Sequence, residues 1–231
     1  MIGRMGSFAR PSADLSDPLD LYLHGYVSSR LMNVSRSAPS SSSSSSSSDG
    51  QGPPPAGLPV TIAASHVDGL VLALTPNHHS YNYRSAVLFG HAEVVADPAE
   101  KLWAMELVTD GVIPHRWAAT RVPPNPAEMQ STSMLRVRIA AGSAKIRTGG
   151  PREDRDDLAD PALIASTWTG VVPVYQTLGE PVPGRLNGVA AVPRDLREWV
   201  KESNEDARAM AVEAVTKEPP PAKKEEGEGE E

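Results

Sequence analysis

Residues 68–95 read DGLVLALTPNHHSYNYRSAVLFGHAEVV, and the fold turns on how this stretch is divided. Asp68-Gly69 is a two-residue hairpin signal, so the strand predicted over residues 58–65 (LPVTIAAS) should pair with 70–74. A polar passage follows, carrying two adjacent histidines, His78 and His79, then Asn82, Tyr83, Arg84 and Ser85. It runs directly into an apolar strand over residues 84–95, interrupted by Gly90. A glycine inside a strand marks a bulge or the close approach of another backbone or a ligand. The passage is therefore either an ordinary polar connector or the lining of a site.

Upstream, LDLYLH (residues 19–24) alternates apolar and polar, the period of a half-buried strand. GYVSSRLMN (25–33) then gives a tight turn and a helix start, with Ser28 or Ser29 as N-cap. Downstream, Asp97-Pro98 predicts a capped helix over about 99–110, and a short helix is expected around 126–130. In residues 134–147 (MLRVRIAAGSAKIR), Leu135, Val137 and Ile139 alternate with Arg136 and Arg138, as in a strand with one wet face. WTGVVPVY (168–175) is the last strand, with Pro173 favouring an edge or a bulge. Residues 194–217 read as an amphipathic C-terminal helix. Short strands separated by turns, with helices between them, predict an α+β, mostly antiparallel barrel rather than a βαβ sheet.

The chain has 231 residues and a net charge of −7, which argues against sequence-independent affinity for nucleic acid. It contains no cysteine, so disulfides, thiolate chemistry and cysteine metal sites are excluded. No apolar run reaches the roughly 18 residues needed to span a bilayer, and the expectation is a cytoplasmic protein with no membrane partner. Ser40 to Ser48 form an unbroken serine run inside a low-complexity Ser/Pro/Gly insertion over 39–57, and 218–231 (EPPPAKKEEGEGEE) form an acidic tail expected to be disordered. The expected organisation is a barrel over 1–190, a helix over 191–217 and that tail. Phosphate-loop, dinucleotide-fold and hydrolase signatures are all missing from the sequence.

Each polar cluster has two readings. His24-Gly25 with Ser28, Ser29 and Arg30 places donors at a turn and a helix start, a ready phosphate cradle. The plain alternative is a capped surface helix with a solvated arginine. Adjacent His78 and His79 point to opposite faces of an extended segment, so at most one reaches a given pocket. Zinc would need a third ligand at suitable spacing, and none is near in sequence, so no metal is expected. Asn82 to Ser85 offer hydrogen bonds to a planar ring or a phosphate. Lys145 and Arg147 share one side of a strand and could meet one anion, or they could simply be a wet face. Trp168 could stack on a ring or pack in the interior.

Taken in order, LYLHGYVSSRLMN, DGLVLALTPNHHSYNYRSAVLFGHAEVVADPAEK, SAKIRTGGPREDRDD and WTGVVPV closely resemble the flavin-nucleotide-binding family related to pyridoxamine 5′-phosphate oxidase, which includes nitroimidazole-reductase-like proteins. The resemblance runs from about residue 1 to 183. It implies an FMN-binding split β-barrel with peripheral helices, usually a homodimer holding FMN in a groove between subunits. It implies that His24, Gly25, Ser29 and Arg30 lie by the flavin phosphate and ribityl chain, and that Asn82, Tyr83, Arg84 and Ser85 line the flavin. Lys145, Arg147 and Trp168 would be outer contributors, and His78 or His79 would face the substrate side. Family members begin with a helix and strand ahead of the segment matched by MIGRMGSF (1–8), so a barrel short of its first helix and strand is expected. The activity implied is an FMN-dependent oxidoreductase acting on a small molecule with NAD(P)H; the alternative is a non-catalytic flavin- or haem-binding module.

Overall fold

The computed structural model describes residues 2–14, 16–17, 19–39 and 56–217. The serine run and the acidic tail lie outside the described residues. The chain forms an α+β split barrel built on an antiparallel sheet, and it divides into two compact units, Met1–Ala63 with Val87–Ser143 and Ala64–Ala86 with Ala144–Glu231. Three long strands, β3 (Leu58–Leu72), β4 (Ser80–Val94) and β5 (Thr132–Arg147), contribute residues to both.

In the first unit the strand order is β1 (Ile2–Gly6), β2 (Asp20–Tyr26), β5, β4, β3. Side chains alternate across β2. Leu21 and Leu23 join Met32, Ala92, Leu135 and Val137 in one apolar cluster. Tyr22 joins Val95, Ala104, Val108 and Met134 in another, where its ring meets the Trp103 indole edge-on at 5.1 Å. Helix α1 (Arg30–Ser37) supplies Met32 to the first cluster, and helix α2 (Pro98–Asp110) supplies Ala104 and Val108 to the second. The expected caps form: Ser29 Oγ accepts from Met32 N–H, and Asp97 accepts from Ala99 N–H. Helix α3 (Pro126–Ser131) carries a reciprocal capping box between Asn125 and Glu128. Pro39 and Gly57, at the two ends of the expected insertion, are tied by a 2.8 Å bond from Gly57 N–H to the Pro39 carbonyl. Gly90 marks a close approach of strands, since a Cβ there would stand 2.3 Å from the Arg138 carbonyl oxygen.

The second unit carries the remaining parts of β5, β4 and β3, then β6 (Gly170–Pro173), with helices α4 (Pro161–Ser166) and α5 (Arg194–Thr216). Here one expectation is corrected. Asp68-Gly69 is not a hairpin turn; β3 runs straight through it and no strand 58–65 folds back on 70–74. Asp68 is buried and gripped by Arg84 at 2.9 Å through its Nε and one terminal guanidinium nitrogen, so its side chain is unavailable to shape a turn. Gly69 pairs with Pro173 of β6, and a Cβ would meet Val171 at 2.7 Å. The dipeptide is a strand position where a charge is paired and a neighbour sits close. Pro173 lies on the edge strand, where its missing N–H costs no ladder bond.

Candidate functional site

The polar passage after β3 builds a cluster inside the second unit. A short 3₁₀ turn, Pro76–His78, carries the chain from β3 to β4 and turns His78 and His79 in different directions. His79 Nδ1 accepts from Ala73 N–H at 3.0 Å, which places the proton of the neutral ring on Nε2. His78 stands between two carboxylates, its Nδ1 3.9 Å from Glu153 and its Nε2 3.7 Å from Asp154. Its Nδ1 is buried and has no hydrogen-bond partner among the described residues. Glu153 is itself fixed, accepting Leu74 N–H on both oxygens at 3.0 and 3.2 Å.

These groups, with Ser80, Arg147 and Arg152, line a cleft of about 340 Å³. The Arg147 guanidinium bonds Asn82 Oδ1 at 2.5 Å and the Gly150 carbonyl at 3.2 Å. Burial, and then the neighbouring Arg152, hold Arg147 below the usual guanidinium range, with Tyr83 opposing. Arg152 makes no hydrogen bond or ion pair with its side chain among the described residues. Arg152 is thus a cation free to meet an anion, in a cleft that the carboxylates of Glu153 and Asp154 also line.

The other candidates in this unit are distributed between structure and surface. Asn82 is fully buried, and its amide also donates to the carbonyls of Gly149 and Ala214 at 3.0 and 3.2 Å. Both N–H groups and the oxygen of that amide are thus bonded to protein, giving Asn82 a structural duty. Arg84 is engaged with Asp68, and those hydrogen bonds push its pKa up, against burial. Ser85 Oγ donates to the Lys145 carbonyl at 3.2 Å, and the Lys145 ammonium lies 5.9 Å from the centre of the Tyr83 ring. Trp168 is 67% exposed, an indole face open to stacking.

His24, Gly25, Ser29 and Arg30 belong to the first unit. His24 points to the α2 face of β2, where it lines an apolar cleft with Met105, Val108 and Met134. Ser29 and Arg30 begin α1, whose Leu31 and Met32 pack against the opposite cluster. The same unit carries a charge ladder along its sheet: Tyr22 OH donates to Glu100 at 2.8 Å, Arg136 meets Glu100 at 2.9 Å, and Arg138 meets Glu93 at 3.0 Å. Burial, and then the hydrogen bond to Glu100, drive the Tyr22 hydroxyl far above its ordinary value, so it stays protonated.

The chemistry of the donor set fits a flavin nucleotide. Arg147 and Arg152 of the cleft suit a phosphate; Tyr83, Lys145 and Trp168, which are not among the residues lining that cleft, are of the kind that suits a ring with polar edges. Arg152, Glu153 and Asp154 were not singled out from the sequence, although the charged run after Gly149-Gly150 marks a turn that could deliver them. Met105 and Arg116 left no sequence signal, because a methionine or arginine in a helix or loop is more often packing or solvated surface. Among the described residues no cluster of histidine and carboxylate side chains is placed to hold a metal ion.

Residues 8–146 match the family described as pyridoxamine 5′-phosphate oxidase. The FAD and haem binding protein from Mycobacterium smegmatis is similar in structure, with a TM-score of 0.62 and 27% identity over 78% of this chain and 77% of that one. The flavocytochrome Anf3 from Azotobacter vinelandii is similar with a TM-score of 0.60 and 26% identity, covering 86% of this chain and 84% of its own. Comparison with curated protein sequences gives no match. The chain belongs to the pyridoxamine 5′-phosphate oxidase family.

Proposed function

We propose that this member of the family is an FMN-dependent oxidoreductase of the cytoplasm that acts on a small molecule with NAD(P)H as electron source, and that it works as a homodimer. The observation that carries this reading is the second unit's cleft, where Arg147 and the uncommitted Arg152 stand beside His78, itself between Glu153 and Asp154. Bound flavin would supply hydride or electron transfer, which no side chain of this cysteine-free chain can provide. The protein's own contribution is to bind and orient. Arg147 and Arg152 would hold the phosphate, Tyr83, Lys145 and Trp168 would bound the ring, and His78 would hold a proton on the substrate side, with the carboxylates of Glu153 and Asp154 nearby. In the first unit, Ser29 and Arg30 offer a second set of donors at the capped start of α1, while Gly25 lies in β2, paired with Ser133 of β5.

The test is the absorbance spectrum of the full chain after incubation with FMN and desalting, followed by NADPH and NADH oxidation. Retained flavin bands and oxidation faster than that of free FMN support the proposal. A colourless protein contradicts it.

A second reading is a non-catalytic flavin- or haem-binding module. It is favoured by the apolar cleft at His24 in the first unit, together with the printed description of one structural relative as an FAD and haem binding protein and of the other as a flavocytochrome. Retained flavin or haem with no nicotinamide oxidation would select this reading over the first.

A further inference from the structure

The cleft between the first unit's sheet and α2 differs in kind from the polar cleft of the second unit. It encloses about 330 Å³. Its floor is Met134, fully buried, and its walls include Met105 of α2 and the imidazole of His24. Ile2 and Val112 stand at its edge 51% and 50% exposed, apolar surface left uncovered beside a ready-made hollow. One cation, Arg116, reaches the lining, and its side chain makes no hydrogen bond or ion pair among the described residues. The residue before it, His115, is the only non-glycine with positive φ among the described residues, at 61°, a conformation that costs energy and is kept where the surroundings demand it.

A flavin's ring edge presents several acceptors and a ring N–H, and against a lining in which Ile2, Met105, Val108, Val112 and Met134 predominate it has only Thr109, Thr120, His24 and Arg116 to pair with. The donor set fits another kind of guest: a large apolar ring that carries a soft-ligand-seeking metal and an anionic arm. Imidazole and thioether are the side chains that ligate such iron, and an unpaired guanidinium at the rim suits a carboxylate. We propose that this cleft is a haem site, with His24 as the axial ligand to iron and Arg116 as the partner of a propionate. The assignment rests on the second reading above, in which the chain binds haem. It takes His24 away from the flavin phosphate.

The experiment is a titration of the full chain with hemin, followed through the Soret and visible bands. Wild type should saturate at one hemin per chain, with a spectrum of a nitrogen-ligated ferric haem. His24 is exposed on β2, so His24→Ala should fold, as circular dichroism will show. Outer-shell partners of a metal site are worth roughly 10- to 100-fold in affinity, so loss of the ligand itself should weaken binding at least about tenfold. The spectrum should lose its nitrogen-ligated form, and added imidazole should restore it. Arg116→Ala should weaken binding several-fold with the spectrum unchanged, and His66→Ala, at an exposed strand position of the other unit, should change neither.

Hemin bound with equal affinity and spectrum by His24→Ala would overturn the site while leaving the haem-binding reading intact. No specific binding by wild type would remove both.

Discussion

The two units bury their interiors by different means. In the first, Tyr22, Met32, Met134, Leu135 and Val137 are withdrawn from water by packing against one another on two faces of a sheet. In the second, the fully buried large side chains include Asn82, and its neighbours are held by named polar bonds: Asn82 to Gly149, Ala214 and Arg147, Arg84 to Asp68, and Glu153 to Leu74. Apolar packing is non-directional and tolerates repacking. Polar pins are directional, and each leaves an unpaired group behind when removed. A framework fixed by such pins holds charges and donors at set distances, which suits a site for a polar, anionic guest. A framework fixed by packing can leave a hydrophobic hollow dry.

The sharpest way to break this contrast is to remove bulk from the first unit. Leu135→Ala should cost about 2–5 kcal/mol in urea unfolding, the range for deleting a fully buried leucine side chain. In the second unit the corresponding blow is polar. Asn82→Ala strands two carbonyls and an arginine arm, and should cost about 3 kcal/mol while also loosening Arg147. If Asn82→Leu proves as stable as wild type, the second unit is packed rather than pinned and the distinction fails. Gly90→Ala comes next, at about 1–3 kcal/mol, because the added methyl has no room against the Arg138 carbonyl.

How much of this was legible in the sequence follows from the same contrast. Period-2 alternation around Leu135, Val137 and Ile139, the Ser29 and Asp97 caps and the glycine at 90 are local signals. The structure forms all of them, because packing against a sheet face needs only the right kind of side chain at the right period. The polar pins were not legible. Asp68-Gly69 carried a turn signal that a partner 16 residues away overrode, since Arg84 pairs with Asp68 inside a continuous strand. Asn82 stood among residues that looked like site lining, and nothing local announces that its amide is taken by Gly149 and Ala214, 67 and 132 residues away. Long-range hydrogen bonds have no sequence period. The approach of Glu153 and Asp154 to the His78 turn is invisible for the same reason.

The smallest expected effect is electrostatic. Burial raises the pKa of Asp20 on β2, against the pull of Arg136 and Arg138. The folded state therefore holds its proton more tightly than the unfolded chain, and stability from this group falls as pH rises from below the unfolded value near 3.8 through the raised folded value. Asp20→Asn removes that penalty and should stabilise the protein at pH 7 by under about 1 kcal/mol after solvent screening, with a smaller difference at pH 3. Thermal melts of the pair at both values check the sign. A gain that is larger at pH 3 than at pH 7 would reverse it.

The claim that most needs testing is that the second unit's cations hold a flavin phosphate. Equilibrium dialysis of FMN against the full chain and against Arg152→Ala tests it directly, because Arg152 carries no structural bond and its loss should leave folding intact. The account expects one FMN per chain for wild type and affinity weaker by about tenfold for the variant, with riboflavin, which lacks the phosphate, bound equally by both. Identical FMN affinity in the two proteins, or none in either, would contradict it.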